Sequence, residues 1–220
     1  MNRVIVIGGS DQGRQVIDAI TARGDDTVVA ILDRAMPRGS AVAGVPVIGT
    51  DDDLQAGALE VAADGYVVAI GDNFTRGAIL ERALTACPHL VAVTVMHPAA
   101  VVARDAVVGA GSILLAGAVV SNGCVVGRGV LLGTNSSIDH DCTVADHASM
   151  GPGVATGGSV HVGRATAIGV GASVVHGVTI GAHTVIGAGA AVVADIPDCV
   201  IAYGVPAKVA TARTPGDPYL

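Results

Sequence analysis

Residues 125–150 read VVGRGVLLGTNSSIDHDCTVADHASM, and this stretch decides the architecture of the C-terminal half of the chain. Every sixth residue in it is aliphatic or Met: Val126, Leu132, Ile138, Val144 and Met150. Followed outward, the same register runs from Val102 through Val108, Leu114 and Val120, and on through Val162, Ile168, Val174, Ile180 and Ile186 to Val192. Of its sixteen positions fifteen are aliphatic or Met, and only Thr156 breaks the rule. The next residue is often Gly, as at Gly127, Gly133 and Gly151. The residue two before is small or β-branched, as at Ala118, Cys124, Ser136 and Cys142. Neither an α-helix nor an ordinary strand has a period of six, and hexapeptide repeats mark a parallel β-helix. Three hexapeptides close one triangular coil of 18 residues, with the aliphatic and small positions pointing inward. Residues 102–197 therefore make a little over five coils.

The first 95 or so residues have a different grammar. Arg3–Ile7, Thr27–Leu32, Tyr66–Ile70 and Leu90–Val95 read as strands. Gln15–Ala22 and Thr75–Ala86 read as helices, the second with Ile79, Leu80 and Leu84 on one face. Alternating strands and helices predict an α/β domain with a parallel sheet. Met96-His97-Pro98 is the expected junction, dividing the chain into 1–96 and 97–220.

Composition agrees with a narrow, repetitive core. Apolar residues make up 51% of the 220, aromatics only 2%, and 31 residues are Gly. Val, Ile, Leu and Ala must supply the bulk that aromatic rings supply elsewhere. No run of 18 apolar residues predicts a transmembrane helix, and MNRVIVIGGS reads as a strand and turn rather than a signal peptide. Cys87, Cys124, Cys142 and Cys199 are scattered without a C-x-x-C pair, which fits reduced thiols and a cytoplasmic protein. A net charge of −7 argues against nucleic acid as a partner.

The informative polar segment is Ser137-Ile138-Asp139-His140-Asp141-Cys142. In the repeat register Ile138 and Cys142 point inward, which leaves His140 outside, near a turn. A solvated surface histidine is the plain reading. Against it stand two acidic neighbours, which fix a tautomer and raise basicity. The 18-residue coil also stacks His140 next to Gly158 and then His176, so a backbone N–H and space for a ligand lie beside the imidazole. Imidazole suits general-base work near neutral pH, and acyl transfer from a thioester needs such a base plus a donor for the oxyanion. Zinc is the competing use of histidines on a β-helix. It needs three protein ligands and an open position. His140 and His147, seven apart, do not occupy equivalent repeat positions, so no metal is expected.

Several segments together carry a family resemblance: VIVIGGSDQGRQV at the start, Ala69-Ile70-Gly71-Asp72-Asn73 with Arg76, His97-Pro98, Asp139-His140-Asp141-Cys142, and Gly204-Val205-Pro206-Ala207-Lys208. The chain resembles the sugar O- and N-acyltransferases of the sialic acid O-acetyltransferase type, a group close to the bacillosamine and perosamine N-acetyltransferases. The resemblance implies a Rossmann-like N-terminal domain that holds a nucleotide-sugar, and a left-handed β-helix that holds acetyl-CoA between subunits of a homotrimer. It implies acetylation of a nucleotide-linked amino sugar, with sugar O-acetylation and a non-catalytic nucleotide-sugar-binding protein as alternatives. His140 then matches the general base and Asp141 its acidic partner. Gly158, His176 and Lys208 fall to the oxyanion and acetyl-CoA. Gly8, Gly9, Ser10, Gln12, Gly13, Asp33, Asp72, Asn73 and Arg76 fall to the nucleotide-sugar. The chain departs from the family in having Gln12 and Ser149 where histidines are common, which bears on the identity of the sugar.

Two other readings were weighed on the residues. Gly8-Gly9-Ser10-Asp11-Gln12-Gly13 lacks the middle glycine of G-x-G-x-x-G, although Asp33 sits where a ribose-binding acid would be. A helix N-terminus that meets a pyrophosphate serves a nucleotide-sugar equally well. The outward positions Val107, Ile113, Val119, Val125 and Leu131 are apolar, and this predicts a face packed on another chain.

Overall fold

A computed structural model describes residues 1–59 and 61–219; the expected C-terminal boundary, Leu220, lies outside them. Strand β1 (Asn2–Ile7) opens the chain and is followed by helix α1 (Asp11–Arg23). Gly24 ends α1 in the left-handed region, at φ 76°, a conformation that Gly adopts without strain. Strand β2 (Asp26–Leu32), the hairpin of β3 (Ala41–Val42) and β4 (Val45–Gly49), and the short helix α2 (Asp51–Gln55) come next. Strand β5 (Gly65–Val68), helix α3 (Asn73–Ala86) and strand β6 (Val91–Ala92) complete the domain. The sheet order is β3-β4-β2-β1-β5-β6. It is parallel throughout except for β3, which the hairpin turns antiparallel.

The expected strand Leu90–Val95 divides in two. β6 closes the N-terminal sheet, while Val95–Met96 pairs with Ile113–Leu114 and is already the first rung of the β-helix. The repeat thus starts six residues before Val102, ahead of the expected junction at His97-Pro98.

The second body is a left-handed parallel β-helix of two-residue strands. Its first face runs from Val95–Met96 up to Val185–Ile186, its second from Val101–Val102 to Ala191–Val192, and its third from Val107–Val108 to Thr179–Ile180. Partners are 18 residues apart, as in Leu131↔Ser149 and Val125↔Thr143. The sixth-position residues stack in the interior, with Leu114, Leu132 and Ile138 fully buried. Polar residues at the small inward position survive burial by bonding between coils. Ser112 Oγ donates to Gly127 O (2.9 Å) and accepts from Val130 N–H (3.1 Å), and Thr166 and Thr184 repeat the device. After Val192 the period fails. Val200–Tyr203 still pairs with the first face, and an unforeseen antiparallel strand, Lys208–Ala212, caps it.

The apolar outward positions divide between two environments. Ile113 and Leu131 are buried by Val16, Ile17 and Ile20 of α1 in the same chain, so the expectation of another chain over these two is corrected. Each such burial contributes about 1.5–3 kcal/mol toward docking the two bodies. Val107 and Val125, on the third face, remain 59% and 48% exposed.

Candidate active site

His140 sits in the turn between Ser137–Ile138 and Thr143–Val144, at the edge where the second and third faces meet. Asp141, the next residue, has φ 59°, a left-handed conformation that a short polar side chain tolerates. The turn brings the Asp141 carboxylate back to the ring: Oδ2 lies 2.9 Å from Nδ1. An ionised carboxylate only accepts, so Nδ1 carries the proton and Nε2 presents its lone pair. The backbone N–H of His140 donates to Asp139 Oδ1 (2.8 Å). The hydrogen bond to Asp141 first, and the charge of Asp139 second, raise the imidazole pKa above its ordinary value.

The imidazole lies over Gly158. A Cβ at that position would stand 2.4 Å from both Cε1 and Nε2. Only hydrogen in place of a side chain permits this approach. Gly158 O accepts from Gly177 N–H (2.9 Å), whereas its own N–H has no acceptor among the described residues. The His176 ring follows one coil further on, 6.1 Å from that of His140. A base with a fixed tautomer and an uncommitted N–H therefore share one outer edge.

Thr156, the single break in the hexapeptide pattern, lies inside the prism beneath this segment. Its Oγ1 accepts from the Asp139 N–H (3.2 Å) and lies 3.8 Å from Cys142 Sγ. Threonine in an aliphatic column was the sequence signal for a residue that pins the segment leading into His140. Lys208 is exposed, on the C-terminal strand opposite Tyr203, and touches neither His140 nor Gly158.

The N-terminal residues separate into two groups. Gly8 (φ 104°), Ser10 and Asp33 border a cavity of about 480 Å³ at the carboxyl ends of the strands. Gly13 lets α1 approach β1, since a Cβ there would meet Gly8 O. Asp33 braces the loops: its oxygens accept from Gly9 N–H (2.7 Å), Ala35 N–H (2.7 Å) and Met36 N–H (3.0 Å). Gln12 faces the other side of the same turn. It lines a groove of about 460 Å³ with Gly71, Ser149 and Tyr219, and its amide nitrogen is buried without a partner.

Asn73 and Arg76 do not face either space, and their expected contact with the nucleotide-sugar is corrected. Both are 1% exposed. Arg76 donates to the carbonyls of Gly129 (2.9 Å), His147 (2.8 Å), Ile70 (2.9 Å) and Gly71 (3.0 Å), and to Asn73 Oδ1 (2.6 Å). Asn73 Nδ2 donates to Thr166 O (3.0 Å) and reaches Ala165 O at 3.4 Å. Gly129, His147 and Ala165 are 18 residues apart, so α3 is tied to three successive coils along the edge between the third and first faces. Burial lowers the Arg76 pKa to about 10, which leaves it charged at neutral pH. Asp72 caps α3 by accepting from Thr75 N–H (2.8 Å).

Beside this lock, Glu81, Asp146 and His147 place donor atoms within 4.8 Å of one another. Arg128 already pairs with Asp146 (3.0 Å) and Glu81 (3.3 Å), and Arg164 stands 3.8 Å from Asp146. A cation there would have to displace both guanidinium groups. Burial holds the pKa of His147 below its ordinary value.

Comparison with known proteins places this geometry among relatives. The PglD N-terminal domain model matches residues 3–83. A curated UDP-N-acetylbacillosamine N-acetyltransferase of Bacillus subtilis is 30% identical over 120 residues, 53% of this chain and 52% of that protein. The match thus spans about half the length of that relative. Among solved structures, PerB from Caulobacter crescentus in complex with CoA and GDP-perosamine superposes with a TM-score of 0.89 at 38% identity, covering 96% of this chain and 98% of that one. The acetyltransferase domain of PglB from Neisseria gonorrhoeae, in complex with acetyl coenzyme A, gives 0.87 at 34% identity over 95% and 99%. With 38% identity across nearly the whole of both chains, the protein belongs to the bacillosamine- and perosamine-type sugar N-acyltransferase family.

Proposed function

We propose that the protein transfers an acetyl group from acetyl-CoA to the amine of a nucleotide-linked amino sugar, with His140 as general base. The observation that carries this reading is the imidazole held by Asp141 through Nδ1, with Nε2 over the Gly158 amide. The amine attacks the thioester carbonyl while Nε2 takes its proton. The oxyanion is received by the Gly158 N–H, and collapse expels the CoA thiolate, to which the imidazolium returns the proton. Fixed donors and a fixed tautomer act without reorganisation during the reaction. His176 is assigned to the wall of the acetyl-CoA channel and Lys208 to the coenzyme's outer portion.

The N-terminal domain is assigned to the nucleotide-sugar. The Gly8-Gly9-Ser10 turn at the N-terminus of α1 suits a diphosphate. The nucleoside would occupy the 480 Å³ cavity on one side of that turn, and the sugar the groove beside Gln12 on the other. Within one chain this domain covers the first face, whereas His140 stands on the edge opposite that face. The sugar reaches the base only if a second chain supplies one of the two. We therefore assign the active form as a homotrimer, with Val107 and Val125 as apolar contacts at the interface. No helix among the described residues is long and apolar enough to cross a membrane. The four free cysteines and both substrates fit a cytoplasmic reaction.

The test is thiol release from acetyl-CoA against a panel of nucleotide-linked amino sugars, with mass spectrometry of the product. An amide that survives mild base is expected. An ester cleaved by that treatment would indicate O-acetylation, and absence of release with every acceptor would refute the reading.

A further inference from the structure

The cavity on the nucleoside side of the turn has two features that no role above uses. The first is Phe74, the only phenylalanine of the chain. It is 49% exposed and borders the cavity. Its ring is backed by the C-terminal segment, where Gly216 sits in ordinary contact at 3.4–3.5 Å. That segment is itself fastened: Asn73 N–H donates to Tyr219 Oη (2.9 Å), and Thr214 N–H donates to Asp217 Oδ2 (2.6 Å). An exposed aromatic ring, braced from behind and open toward a cavity, is a stacking platform rather than a piece of core.

The second feature is a pair of arginines around a buried acid. Asp51 is 3% exposed, and its carboxylate accepts from Arg34 Nε (2.6 Å) and Nη2 (3.0 Å) and from Arg82 Nη2 (3.0 Å). Arg34 also reaches Asp52 (2.7 Å). The acid is fully subscribed, while Nη1 of Arg34 and both Nε and Nη1 of Arg82 have no acceptor among the described residues. Both guanidinium groups are half-exposed and border the cavity. The polar surface beyond Phe74 thus consists of fixed N–H donors, with the neighbouring carboxylates of Asp33 and Asp51 spent on other partners.

We infer that Phe74, Arg34 and Arg82 form a nucleobase subsite that stacks the base and selects one presenting carbonyl oxygens, the 6-oxo edge of guanine or the 4-oxo edge of uracil or thymine. This deepens the reading under Proposed function and rests on it. A guanidinium matches the acceptor pair of a keto base and meets an exocyclic amino group, as in adenine or cytosine, with donor facing donor. Stacking supplies affinity for any base, and the donor pair supplies the choice.

Calorimetric titration of the full chain with GDP, UDP, ADP and CDP tests the proposal. GDP or UDP, or both, should bind at least about tenfold more tightly than ADP and CDP. Phe74→Leu, which keeps apolar volume without a π-face, should weaken the preferred nucleotide by roughly 5- to 100-fold and leave acetyl-CoA binding unchanged. Arg82→Gln should narrow the preference between keto and amino bases, with the melting temperature held. Equal binding of all four nucleotides, or wild-type affinity in Phe74→Leu, would overturn the subsite. Acetylation of a nucleotide amino sugar combined with such indifference would overturn only the subsite. Failure of all four to bind would overturn the nucleotide-sugar reading along with it.

Discussion

Gly158→Ala separates the arrangement of base and amide from the fold that carries it. The new Cβ would lie 2.4 Å from His140 Cε1 and Nε2 and 2.9 Å from Cδ2. Unbonded carbons settle near 3.5–4.0 Å, so the ring must retreat by about 1 Å or more. It can do so cheaply in terms of stability. The His140 side chain is 51% exposed, and Gly158 does not use a positive φ, so alanine fits the backbone. The retreat nonetheless pulls Nδ1 from Asp141 and carries Nε2 off the amide. A 1 Å misplacement of a reacting group costs on the order of 10²-fold in rate. Steady-state thiol release with both substrates saturating should therefore fall about 10²-fold, while the melting temperature moves by no more than about 2 °C. Turnover within threefold of wild type would refute the claim that the imidazole works against this amide. A loss of activity matched by a large fall in melting temperature would show Gly158 serving packing instead.

Other consequences are as direct. The imidazole pKa is raised chiefly by the hydrogen bond from Asp141, so Asp141→Asn should move the acid limb of the kcat/KM profile to lower pH, because the base must be neutral to accept a proton. An unmoved limb would detach Asp141 from the base. Arg76→Met leaves buried carbonyls of Gly129, Ile70 and Gly71 without donors and should cost about 3–5 kcal/mol in urea unfolding. Arg76→Lys should keep nucleotide affinity near wild type, which a ligand contact would not allow. His147 is held neutral by burial, with a folded pKa below the unfolded one. Its contribution is complete above the unfolded value of about 6.5 and is lost as pH falls through the folded pKa. The drop in melting temperature on acidification should be smaller in His147→Asn, a residue that also accepts the left-handed φ of 63° found there.

The β-helix was legible because its period is local: six residues set inward and outward, and eighteen set the vertical neighbour. That arithmetic alone brings His140 to Gly158. It does not say what lies against an outward face. Ile113 and Leu131 read as contacts for another chain because a period carries no information on where α1 comes to rest. Asn73 and Arg76 read as pocket residues because they follow a strand end, where ligands bind in α/β sheets. The counter-signal was present: Arg76 stands three and four residues before Ile79 and Leu80 and so shares the buried stripe of α3. An arginine on such a stripe is held by buried acceptors, and here the acceptors belong to a different body. Phe74, Arg34 and Arg82 had no pattern to mark them, since their meaning comes from a cavity that three separate loops and α3 assemble.

The central claim, that His140 takes the proton of the attacking amine, is tested most directly by His140→Ala in the full chain. Turnover should drop by a factor on the order of 10²–10⁴, with acetyl-CoA and nucleotide binding retained in calorimetry. Turnover close to wild type would contradict the account.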